Sequence, residues 1–117
     1  MERMTMLNRV ELRGIIGPLK ISNIGETKVA RFGVMTCIAY KNADNYGVVD
    51  TTWTECVAFE SDKISLEGLE KRAKVHVIGR LHDQKFTGAD GFERTTKQLM
   101  VSELEIINSE TLEYENV

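Results

Sequence analysis

The sequence predicts an all-β domain: a five-stranded Greek-key barrel, with one helix between the third and fourth strands and a long hairpin between the second and third. Three observations carry this. Apolar residues recur at period two in five separate stretches, one helix-like stretch falls after the third of them, and glycines sit where strands of a small barrel would bend. At 117 residues, the chain has the length of one domain with a single core. Its 42% hydrophobic and 28% charged content is that of a globular protein.

The first strand is read in Leu7 to Ile16, where Val10 and Leu12 alternate with Arg9, Glu11 and Arg13. Gly14 and Gly17, followed by the only proline, Pro18, predict a bend or bulge and then a turn. Lys20 to Lys28, containing Asn23 and Gly25, is a weakly patterned link or short strand. Val29 to Tyr40 is the strongest strand. Ala30, Phe32, Val34, Thr36 and Ile38 lie on one face and Val29, Arg31, Gly33, Met35 and Cys37 on the other, with the Phe32 side expected in the core.

Lys41 to Asp50 reads as the tip of the long hairpin, leading into the third strand, Thr52 to Phe59. Here alternation puts Trp53, Glu55, Val57 and Phe59 on one side and Thr54, Cys56 and Ala58 on the other. Two aromatic rings on one face have two readings. They are either part of a core strand or an open platform on which unpaired bases stack.

Ser61 to Arg72 is predicted as the helix, with Ser61 or Asp62 as N-cap, apolar Ile64, Leu66 and Leu69, and Lys71 and Arg72 in the last turn. Lys74 to Phe86 returns to a strand, with Gly79 marking a possible bulge. The turn Thr87 to Phe92 precedes a final strand from Glu93 to Val101, and Leu104, Ile106 and Ile107 complete the core. Strand, strand, strand, helix, strand, strand is the order of the OB-fold, whose second and third strands often bind oligonucleotides or oligosaccharides. Residues 1–107 are read as this domain and 108–117 as a short acidic tail.

Charge and chemistry narrow the function. All 15 Lys and Arg lie between Arg3 and Lys97, whereas Glu103, Glu105, Glu110, Glu113 and Glu115 crowd the end of the chain. The net charge of −3 thus combines a mildly basic body with an acidic terminus, and local potential decides whether phosphate is attracted. Cys37 and Cys56 lack metal-ligand spacing, and each lies inside an apolar strand pattern, so both are expected as buried, reduced thiols. His76 and His82, the only histidines, belong to no catalytic motif, and the acids are scattered. No enzyme, metal or cofactor is indicated. No segment reads as a signal peptide or membrane span, so a cytoplasmic protein is expected.

Four stretches carry a family resemblance: Leu7–Gly17, Val29–Thr36, Thr52–Phe59, and Val75–Leu81 followed by Asp90–Thr96. In this order they resemble the bacterial single-stranded DNA-binding protein family over about residues 7 to 107, in a tail-less short form. The resemblance implies base stacking on Tyr40, Trp53, Phe59 and Phe86, with core packing the rival reading for Phe86. It implies phosphate contacts from Arg31, Lys41, Arg80, Lys85, Arg94 and Lys97, and from Arg13. The implied function is coating of single-stranded DNA in replication, recombination or repair, by a nucleoid-associated homo-oligomer, a tetramer or dimer, that meets replication or repair proteins.

The chain departs from the family pattern at several places. Tyr40 and Phe86 stand where tryptophan is commoner, Glu55 where a basic residue is usual, and Thr54 where a histidine contributes to subunit contacts. Family members usually continue into a long flexible tail, whereas this chain stops at Val117, so an untethered acidic terminus and an accessory copy are expected. The rival reading is a primosome-accessory-like protein acting mainly through protein contacts.

Overall fold

A computed structural model of the chain describes residues 3–107 and 115–116. Five long strands make the barrel: β1 Val10–Ile24, β2 Thr27–Lys41, β3 Gly47–Phe59, β4 Lys74–Thr87 and β5 Glu93–Ile106. They lie in the order β1-β4-β5-β3-β2, and β1 pairs again with β2, which closes the sheet on itself. All contacts are antiparallel except that of β3 with β5, where Cys56 meets Leu99 and Val57 meets Met100. Closure removes the free edges that an open sheet of this size would expose.

The core is built from the inward positions of every strand. Ile16, Ala30, Phe32, Val34, Cys56, Ala58, Val75, Val77 and Leu99 are buried together. The Phe32 side of β2 is therefore the core side, and Thr54, Cys56 and Ala58 supply the matching side of β3.

Glycines bend the wall where two expected irregularities occur. The β1–β2 register shifts between Ile16 and Leu19, around Gly17 and Pro18, and the β4–β5 register shifts between Ile78 and Gly79. β1 then continues to Ile24, so the weakly patterned link is a strand turned back at Gly25, whose φ is 62°. The long hairpin has a shorter tip than expected. Pairing runs to Lys41 opposite Gly47, and Asn42 Oδ1 closes the turn by accepting from the backbone N–H groups of Asp44 and Tyr46, each at 3.0 Å.

The expected helix over Ser61–Arg72 is not formed; no helix occurs among the described residues. Ser61 Oγ accepts from the N–H of Lys63 and of Ile64 at 3.2 Å, closing a local turn. Gly68 and Arg72 then take φ of 81° and 71°, a left-handed conformation that no α-helix continues. Ile64, Leu66 and Leu69 are nevertheless buried in the core, so the apolar spacing marks a plug across the barrel end. The backbone of Ile16 fastens it, donating to Ala73 O at 2.9 Å and accepting from the Arg72 N–H at 2.8 Å.

Where an untethered terminus was expected, Glu115–Asn116 form a two-residue strand, β6, parallel to Ile38–Ala39 of β2. The rest of the acidic tail, 108–114 and 117, lies outside the described residues.

Candidate nucleic-acid interface

The outer wall of β2 and β3 carries the aromatic platform. Their register pairs Met35 with Trp53, Gly33 with Glu55, Arg31 with Val57 and Val29 with Phe59 without a shift. Opposed residues share a face, so the alternation that buries Cys56 and Ala58 turns Trp53 and Glu55 outward. Trp53 is 56% exposed and Phe59 39%. Val57, between them, is buried although it lies on the same side.

Trp53 is open yet seated. Atoms added as Cβ at Gly17 and at Gly33 would stand 2.6 Å from its Cη2 and 3.5 Å from its Cε3. The indole therefore spreads from β3 across β2 to the bulge of β1, using two positions without side chains as its floor. Pro18 and Leu19 border an open, mainly apolar groove of about 670 Å³ beside it, with Lys20 and Arg31 on the same rim. A ring supported from below and free above is a stacking surface.

Strand pairing lays the cations out in a row. Lys20 opposes Arg31, Arg31 opposes Val57, Val57 opposes Met100, and Met100 opposes Arg80. Three cations on β1, β2 and β4 thus line one path over the outer wall. Lys20 was missed in the sequence because its surroundings there show no alternation, and only the register places it beside Arg31.

The other anticipated residues divide between two faces. Lys41, at an odd position of β2 opposite Gly47, shares the Trp53 side. Arg80, Gln98, Phe86 and Arg94 share the outer side of β4 and β5, Arg80 facing Met100 and Phe86 facing Arg94. Phe86 is 43% exposed, so it is not a core residue. Tyr40, paired with Val48, lies by alternation on the opposite side of the β2–β3 ribbon from Trp53, past the end of the core. Lys85 and Lys97, opposite Thr95 and Asp83, likewise continue the inward side of β4 and β5. Arg13 opposes His76 on the pair of β1 with β4.

Two of the cations already have acidic neighbours. Lys97 Nζ lies 2.7 Å from Asp83 Oδ1, and Arg94 pairs with Asp90 in the adjoining turn. Lys97 holds the Asp83 carboxyl below the usual range, chiefly by its hydrogen bond and then by its charge. Among the described residues Arg31, Arg80, Lys41 and Lys20 form no ion pair. Beneath the platform, burial and then the nearby Glu55 charge push the Cys56 thiol up to about 12. Among the described residues no three His, Cys, Asp or Glu gather as a metal site, and no helix is long and apolar enough to cross a membrane.

The profile of the single-strand binding protein family matches residues 7–107. The chain belongs to that family. Similar curated proteins include the single-stranded DNA-binding protein of Xanthomonas axonopodis pv. citri, 28% identical over 106 residues, covering 81% of this chain and 59% of that protein. That of Neisseria meningitidis serogroup A is 28% identical over 105 residues, covering 86% and 60%. The chain thus spans about 60% of the length of these curated relatives. Among solved structures, an SSB of Plasmodium falciparum in complex with ssDNA superposes with a TM-score of 0.74 at 25% identity, over 92% of this chain and all of that one. A deletion mutant of the single-stranded DNA binding protein from Thermus aquaticus gives 0.73 at 15% identity, covering 89% and 52%, and shares the fold. In this single-strand binding family member the two outer-face aromatics of β3 follow from alternation and the cationic row from strand register.

Proposed function

We propose that this protein coats single-stranded DNA without catalysis, during replication, recombination or repair. The observation that supports this most is the exposed Trp53 ring, packed against the backbone at Gly17 and Gly33 beside the Lys20–Arg31–Arg80 row. Bases stack on Trp53, Phe59 and Phe86, each worth about 1–3 kcal/mol, largely whatever their sequence. Phosphates run along Arg31, Arg80, Lys41 and Arg94 and release counterions as they bind, so affinity falls steeply with salt. Tyr40, on the far side of the ribbon, serves a strand that wraps round the hairpin.

Residues 1–107 act as the binding domain and 108–117 as an acidic appendage. The protein works in the cytoplasm as a homo-oligomer, alongside replication or repair proteins. These readings draw on the family and on the DNA-bound structural relative. One feature favours a primosome-accessory-like role instead: Glu55 places a carboxylate on the platform itself.

Anisotropy of a labelled mixed-sequence oligonucleotide, measured over a range of salt concentrations, separates the two. Coating requires tight binding to single strands at low salt, weak binding to duplex, and a steep loss with salt. Absence of single-strand binding even at low salt would reject coating and favour the protein-contact role.

A further inference from the structure

Glu55 is the unexpected group on the platform, and its surroundings give it a direction. It follows Trp53 by two residues on the same side of β3, a separation of about 7 Å that lets its side chain reach the edge of a base lying on the indole. Gly33 opposes it and has no side chain to cover it. The amide of Gln98, on β5, donates from Nε2 to Glu55 Oε1 at 3.3 Å and orients the carboxylate from the far side. Among the described residues no Lys or Arg pairs with Glu55. Oε2 therefore remains an acceptor in a groove whose rim is cationic.

Such a group tells bases apart by their hydrogen-bonding edges. Cytosine offers the N4 amino group, a donor that carboxylates accept from, and adenine offers N6. Guanine presents N1–H and the N2 amino group side by side. Thymine and uracil present carbonyl oxygens on both sides of a single N3–H, so their lone pairs face the carboxylate. A carboxylate covered by such a base loses water without gaining full replacement.

We infer that Glu55, held by Gln98 beside the Trp53 stacking surface, makes the protein favour amino-bearing bases over thymine. This rests on the single-strand reading above and adds a base preference to it. The stacking rings set affinity, and the carboxylate biases which base occupies the first ring.

The test compares oligo-dC with oligo-dT of equal length, at mildly alkaline pH where cytosine N3 is unprotonated, by competition against a labelled mixed-sequence strand. The wild-type protein should favour oligo-dC by roughly five- to tenfold, the size of one good base-edge contact. Glu55→Gln keeps the bond partner for Gln98 and can donate or accept, so it should bring the two ligands to comparable affinity. Glu55→Lys should reverse the order. If the wild type binds both equally or favours oligo-dT, or if Glu55→Gln tightens both alike with the ratio unchanged, the carboxylate only repels phosphate and the inference fails while coating stands. If neither homopolymer nor the mixed strand binds the wild type at low salt, both readings fall together.

Discussion

Gly17 lies under the indole of Trp53: a Cβ on Gly17 would stand 2.6 Å from Cη2 of that ring. The two residues are 36 positions apart in the sequence, and the closure of β1 on β2 brings them together. The bulge there is a seat for the ring as well as a barrel corner. Gly17→Ala should push the indole off its floor, shift its emission and weaken single-strand binding by about 1 kcal/mol, the lower end for one stacked base. Unchanged emission and affinity would show that the ring does not depend on this seat.

The face assignments predict which cations matter. Arg31→Ala and Arg80→Ala should each lower the slope of log affinity against log salt by about 0.7, the value for one phosphate on a single strand. Lys97→Ala, removing a lysine tied to Asp83 on the inward side, should change the slope little. Equal losses at all three positions, measured by salt titration of a labelled strand, would mean that the strand wraps both faces of the β4–β5 ribbon.

The segment between β3 and β4 offers a test with opposite signs. In a helix, Gly68→Ala would stabilise the protein by about 1 kcal/mol. Here Gly68 has a φ of 81° and its Cβ would meet Ile106 Cδ1 at 3.3 Å, so the substitution should destabilise by about 1 kcal/mol. Urea unfolding decides between them.

Two groups give stability opposite pH trends. The Asp83 pKa is lowered by Lys97, so the stability it adds is present above the ordinary carboxylate pKa and disappears as pH falls through the depressed value. Because this pair is exposed, its effect on the unfolding midpoint should be small, and Asp83→Asn should leave the neutral-pH midpoint nearly unchanged. The Cys56 pKa is raised from 9.0 to about 12. The unfolded thiol ionises first, so stability is full below its ordinary pKa and declines as pH climbs towards 12. A thiol reagent at mildly alkaline pH should label Cys37 in the folded protein and Cys56 only on unfolding.

Alternation alone made the strands and the Phe32 core side legible, since burial on one face leaves a period of two in the sequence. It also paired Trp53 with Phe59. The plug escaped because Ile64, Leu66 and Leu69 are spaced closely enough to suggest a helix, and the left-handed turn at Arg72 has no glycine to announce it. Lys20 and Gln98 depend on cross-strand register, which the chain acquires only when the barrel closes, whereas alternation along β2 already puts Tyr40 on the Phe32 side. The β2–β3 register is set by a turn that spans only Asn42–Tyr46, shorter than the Lys41–Asp50 stretch of turn-forming residues suggests.

The most direct measurement follows Trp53 fluorescence, the only tryptophan signal in the chain, while a mixed-sequence single strand or a duplex of equal length is added. Stacking on the open indole requires strong, saturable quenching by the single strand, reversed by salt, and little response to duplex. No quenching by the single strand at low salt, or equal quenching by duplex, would contradict stacking on the open indole.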